Sequence, residues 1–186
     1  KRGIYIQNSD NTLRFGIEGT QDGVVKSSGV VAAGSWIHVV CTFAGGDPGG
    51  SNTANYMKIY IDGVLDTTVV QQLNSPTDIY TGTTGNIWLG YFANTLNPVA
   101  ASGQFAGNLS NMGIWNVELS AAEVSRIYNH HQLYDLAKMK IDNLAVWWRF
   151  SDSSIWKKPD DGVMNHRDSF NIYNVAPKAA EFFNAG

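Results

Sequence analysis

Asp62-Gly63 stands between two β-rich runs, residues 56–61 and residues 64–70. A two-residue hairpin turn of type I′ needs positive φ at both central positions. Gly adopts that freely and Asp tolerates it. This dipeptide therefore constrains the chain more than any other short stretch. The two runs must fold back as antiparallel strands, in one register.

Other segments read the same way. Ile4-Tyr5-Ile6-Gln7 and residues 12–18 are β-rich runs flanking Asn8-Ser9-Asp10-Asn11, which is turn chemistry, so a hairpin is expected. Val24-Val25-Lys26 and Val30-Val31 flank Ser27-Ser28-Gly29 and read as a weaker strand pair. In residues 36–43 alternation puts Ile37, Val39, Cys41 and Phe43 on one face, expected to be buried. Trp36, His38, Val40 and Thr42 lie on the other, expected to be partly buried. Residues 86–92 form a further strand, residues 105–116 one or two more, and residues 144–150 a final strong one. Residues 44–54 and 93–104 are loops by composition, longer than the roughly 2–5 residues a hairpin connection needs. Ser120 with Glu123 three residues later is a capping box opening a helix, with Val124, Ile127 and Tyr128 as its apolar stripe. Residues 132–139 suggest a second short helix.

With 19 glycines, 12% aromatic and only 16% charged residues in 186, this pattern suits one all-β sandwich of many turns. A net charge of −3 argues against nucleic-acid or anionic-membrane partners, which need a basic patch. No apolar run reaches the roughly 18 residues that cross a bilayer. Cys41 is the single cysteine, which excludes an internal disulfide and a cysteine-type zinc site.

The motifs come in a telling order. They are Trp36/His38, Tyr60/Asp62/Gly63, Ile87/Leu89/Gly90, Phe105/Gly107, Ile114/Trp115 and Leu119/Ser120/Glu123. In that order the chain resembles the laminin-G-like branch of the concanavalin A-like lectin and glucanase superfamily, over about half its length. The resemblance implies an all-β fold, a two-sheet antiparallel jelly-roll sandwich. The helix reading adds one or two short helices at about residues 120–138. Residues 1–143 are then the sandwich. Residues 144–186 complete it or reach a neighbouring subunit, because a strong strand leaves pairing edges that need covering. Ala145-Val146-Trp147-Trp148-Arg149-Phe150 resembles the unit that usually opens such domains, yet here it comes late. After the Leu-Ser-x-x-Glu helix it looks similar to modules of phage and marine-virus structural proteins.

The fold's best-known chemistry is glycoside hydrolysis, which needs two carboxylates about 5–5.5 Å apart for retention. Glu18, Glu118, Glu123 and Glu181 have no carboxylate two or four residues away in a strand, and Glu123 is explained by its cap. No enzymatic activity is expected. His38 reads as a structural histidine, and His130-His131 as the end of a helix. Calcium would be the ion for acidic turns, with Asp152, Asp160, Asp161 and Asp168 as candidate ligands and Asn8, Asp10 and Asn11 as a second set. Neither has a calcium-loop spacing, and turn chemistry accounts for both without a metal. A sugar platform would use Trp88, Tyr91, Phe92 and Asn94 with Asn52 and Asn55 from the other loop. Against it, Trp88 and Phe92 could alternate into the core. Trp115, Trp147 and Trp148 are assigned to packing, but neighbours in a strand point oppositely. One of the adjacent pair is therefore expected to leave the buried face.

The expected function is a non-enzymatic recognition or assembly module of a virion or other surface structural protein. The alternative is a calcium-assisted lectin or adhesin. The partners are protein neighbours in an assembly or surface glycans, with no membrane insertion and an oligomer allowed. The location is virion, extracellular or cell surface.

Overall fold

The computed structural model describes residues 3–7, 9–17, 23–45, 56–67, 69–73, 89–90, 105–130, 135–148 and 155–156. It divides into two compact units. One comprises Lys1–Thr81 and Val117–Tyr134, the other Gly82–Asn116 and Asp135–Gly186.

The first unit holds β1 (Gly3–Gln7), β2 (Thr12–Ile17), β3 (Gly23–Val30), β4 (Val39–Phe43), β5 (Met57–Ile61), β6 (Val64–Leu65) and β7 (Val69–Leu73). They form two antiparallel sheets, ordered β1-β2-β3-β7 and β4-β5-β6. Leu13, Ile17 and Val25 from the first sheet and Met57 and Ile59 from the second are buried in one cluster. Ile6, Phe15, Val39, Cys41, Phe43 and Ile61 pack against it. Val39, Cys41 and Phe43 thus face the core as alternation expects, but they are half-buried rather than buried. Burial pushes the Cys41 thiol pKa up, as for a small core hydrophobe.

The Asp62-Gly63 turn forms as read. Ile61 pairs with Val64, and φ is 50° at Asp62 and 77° at Gly63. The returning run does not stay in one sheet. β6 pairs with β5, then the chain crosses and β7 pairs with β3. At the crossing, the Asp66 carboxylate accepts the Ser28 N–H at 2.7 Å and the Ser28 hydroxyl at 2.5 Å.

That contact bears on the first correction. The expected pair at residues 24–31 is one strand, β3. The β2–β3 register shifts between Thr12 and Arg14, which places Ser27-Ser28-Gly29 in a bulge. There the fully buried Ser27 hydroxyl accepts the Leu13 N–H at 3.1 Å and donates to the Gly29 carbonyl at 2.6 Å. Side-chain oxygens stand in for missing ladder partners, so the strand continues.

The second correction is that β4 starts at Val39, not Trp36. On its outer face Thr42 is buried rather than half-open. Its hydroxyl and Lys58 Nζ both reach Glu118 Oε1, at 3.2 and 2.9 Å. Helix α1 (Ala121–Asn129) follows at once, with the full capping box between Ser120 and Glu123. Val124 and Ile127 form its buried stripe, and Tyr128 covers Gly63. A Cβ on Gly63 would stand 2.8 Å from Tyr128 Cδ1.

The second unit holds β8 (Met112–Trp115), β9 (Leu144–Trp148) and β10 (Ile155–Trp156), antiparallel in the order β10-β9-β8. Only residues 112–115 of the run 105–116 are strand. Of residues 132–139, a 3-10 turn spans Leu136–Lys138. A Cβ on Gly113 would meet Leu136 and Trp115 within 2.9 Å, so this glycine makes room for both. Of the expected strand at residues 86–92, only Leu89 and Gly90 are among the described residues.

The third correction concerns Trp147 and Trp148. Both are buried, each 3% exposed, so neither leaves the core. Alternation does send them to opposite faces, yet both side chains are buried, while Ala145 on the Trp147 face is exposed. Trp147 lies opposite Gly113, and its indole N–H donates to Asn111 Oδ1 at 2.6 Å. Trp115 likewise donates to the Met139 carbonyl at 2.9 Å.

Gly63→Val should destabilise the chain by about 1–3 kcal/mol, from a β-branched residue held at positive φ, with the Tyr128 clash added. Gly63→Ala in a Tyr128→Ala background should cost less than in the wild-type background, because the ring contacts at Cδ1 and Cγ are gone and only the Cβ contact at 2.9 Å remains. Chemical denaturation of wild type, the three single variants and the double variant checks both. An unchanged midpoint for Gly63→Val would refute this turn.

Candidate binding site

Two segments are bracketed by backbone hydrogen bonds, the first at the end of a sheet ladder. The β4–β5 ladder runs to Phe43 opposite Met57 and gains one more bond, Ala44 N–H to the Tyr56 carbonyl at 3.0 Å. Residues 46–55 depart and return there. In the other unit the Phe105 N–H donates to the Gly90 carbonyl at 2.9 Å, which ties the ends of residues 91–104. Gly90 has φ 71°, a conformation glycine takes without strain. A loop closed at its base by a backbone bond stands on the rigidity of its sheet.

The sequence-predicted platform falls on these loops or beside them. Asn52, Asn55, Trp88, Tyr91, Phe92 and Asn94 all lie outside the described residues. So do the calcium candidates Asp152, Asp160, Asp161 and Asp168.

Two exposed aromatics are in view. Phe105, 37% exposed, marks the base of the second loop. Its ring folds back over Gly107, where a Cβ would stand 2.7 Å from Cε1 and Cζ, which explains the Phe-x-Gly spacing. Trp36 is 65% exposed. Strand alternation alone misplaced it. The signal was the preceding Gly34-Ser35: Gly34 turns at φ 86°, and the chain becomes strand three residues after Trp36.

His38 is held by its backbone. Its N–H donates to Asp62 Oδ1, and the Asp62 N–H donates to the His38 carbonyl, both at 2.9 Å. This extends the β4–β5 ladder onto the turn. The imidazole meets the Tyr128 ring at 5.7 Å between centroids, tilted by 39°. Among the described residues, its enclosed Nδ1 has no hydrogen-bond partner. Burial lowers the His38 pKa, and the Asp62 charge opposes that shift. An enclosed donor without an acceptor costs about 1–3 kcal/mol, more when charged. A cation over an aromatic ring returns about 0.5–1 kcal/mol at an exposed site and about 2 or more once desolvated. The net shift is downward with burial as its largest cause, which favours the neutral ring.

The described acids are already engaged. Glu118 is held by Lys58 and Thr42, and Glu123 by the helix cap. His130 ends α1 as its C-cap. Among the described residues no group of three or more His, Cys, Asp or Glu could hold a metal ion. Asp10, from the second calcium set, faces cations instead. Arg14 and Lys26 lie 3.2 and 3.5 Å from its Oδ2. Its Oδ1 accepts the Thr12 hydroxyl at 2.7 Å and the Thr12 N–H at 3.2 Å. The Thr12 hydroxyl, then the Thr12 amide and Arg14, hold its carboxyl down at about 2, from the usual 3.8. Two cations beside it repel a divalent metal.

A family model of laminin G type, from the concanavalin A-like lectin/glucanases superfamily, matches residues 1–125. The chain belongs to that family. No curated protein and no solved structure matches it. Among the described residues, no helix is long and apolar enough to cross a membrane.

Asp10 yields a signed pH dependence. Its folded pKa lies below its unfolded one, so its stabilisation is complete above about pH 4 and lost as pH falls through about 2. Urea unfolding between these values should show a steeper loss for wild type than for Asp10→Asn. Parallel curves would mean the Thr12 and Arg14 bonds do not persist in solution.

Proposed function

We propose that this chain is a non-enzymatic recognition and assembly module whose contacts are made by the two stem-rooted loops. The observation that carries this is the pair of closing bonds, Ala44 to Tyr56 and Phe105 to Gly90. They bring together the chain on either side of residues 46–55 and of residues 91–104. The engagement of Glu118 and Glu123 speaks for binding rather than hydrolysis. The family is compatible with such a module.

In its sharper form, the module belongs to a virion or another surface structural protein, meeting protein neighbours and no nucleic acid. Support for that comes from the Ala-Val-Trp-Trp-Arg-Phe strand following the Leu-Ser-x-x-Glu helix. The second reading is a calcium-assisted lectin or adhesin, favoured by the exposed Trp36 and by Phe105 at a loop base. Calcium would then sit at Asp152, Asp160, Asp161 and Asp168.

Replacing residues 46–55 or 91–104 by a short Gly-Ser link should move the melting temperature little and weaken binding at least tenfold. A glycan array, read with and without calcium, separates the two readings. Calcium-dependent glycan signal lost with a loop supports the lectin. A silent array with binding to a neighbouring structural protein supports assembly. Normal binding by both shortened chains places the contact surface elsewhere, and turnover of a glycan would overturn the non-enzymatic reading.

A further inference from the structure

We propose that His38 is an acid-sensitive latch: its neutral ring holds α1 on the β5–β6 hairpin, and protonation loosens that hold. The inference does not depend on what the loops bind. It rests on three observations at one place. Gly63 brings the hairpin against the Tyr128 ring, close enough that a Cβ would collide. The imidazole lies against the same tyrosine ring, and the His38 backbone is held by bonds to the Asp62 carboxylate and amide. Among the described residues, the enclosed Nδ1 has no partner.

The titratable groups facing the ring are Asp62 from the β5–β6 turn and Tyr128 from α1. Asp62 draws a proton toward the site, but its Oδ1 already accepts the His38 backbone N–H. A proton on Nδ1 would face no acceptor. The cheapest way to hydrate it is to part the ring from Tyr128. That parting also uncovers Gly63, so the end of α1 and the hairpin loosen together.

The sign follows from burial. With the folded pKa below the unfolded 6.5, the latch is fully closed above pH 6.5 and weakens as pH falls toward the folded value. Opening takes up one proton, so the effect is at most about tenfold per pH unit.

Amide hydrogen exchange on the full chain, corrected for intrinsic rates, tests this between about pH 7.5 and pH 5. Protection factors across Ala121–Asn129 and the β5–β6 turn should fall by up to about tenfold per unit below 6.5, while β2–β3 amides stay constant. In His38→Gln the helix should show no such slope. Flat wild-type protection, or an equal slope in the variant, overturns the latch. If the variant does not fold, nitrogen NMR of the wild-type His38 ring decides. Titration below 6.5, with Tyr128 ring signals moving in step, supports it. Titration at or above 6.5, or an unmoved Tyr128, overturns it.

Discussion

Positive φ at two consecutive residues is the constraint on which the first unit turns. Asp62 and Gly63 take it, and β5 and β6 meet with Ile61 opposite Val64. The same turn then serves two further elements. Asp62 captures the backbone of His38 and so aligns the start of β4. Gly63, lacking a Cβ, lets the Tyr128 ring lie flat on the chain and seats the end of α1. One dipeptide thus ties a hairpin, a neighbouring strand and a helix.

Polar side chains do comparable work where ladders fail. Ser27 and Asp66 complete the bulge in β3, and Glu118 joins the approach to α1 to both β4 and β5. The Lys58–Glu118 pair is about 30% exposed on each side, which puts it in the class worth no more than about 1 kcal/mol. Its role is positional: it covers Thr42 and sets where the helix begins. In the second unit the indoles of Trp115 and Trp147 act similarly. Each buries a large apolar surface and spends its one donor on a fixed acceptor, Met139 or Asn111.

These devices suit a binding module. Backbone bonds join Ala44 to Tyr56 and Phe105 to Gly90, and the core cluster among the described residues is built from β2, β3 and β5. A scaffold whose stability sits in turns, caps and sheet packing leaves its loops free to diverge.

Local chemistry was legible in the sequence wherever a few adjacent residues decide the outcome. The Asp62-Gly63 turn, the Ser120–Glu123 capping box, the hairpin across residues 8–11 and the core side of β4 all depend on nearest neighbours. The family followed from their order. Residues whose fate depends on distant partners were not legible. Val24 to Val30 reads as two strands until Asp66, far along the chain, bridges the bulge. Trp147 and Trp148 read as one buried and one exposed, yet the fold buries both. Trp36 reads as half-buried until the chain is seen to become strand only at Val39. Alternation states which residues share a face. Only packing decides which faces meet water, because burial belongs to the pair of surfaces and not to the strand.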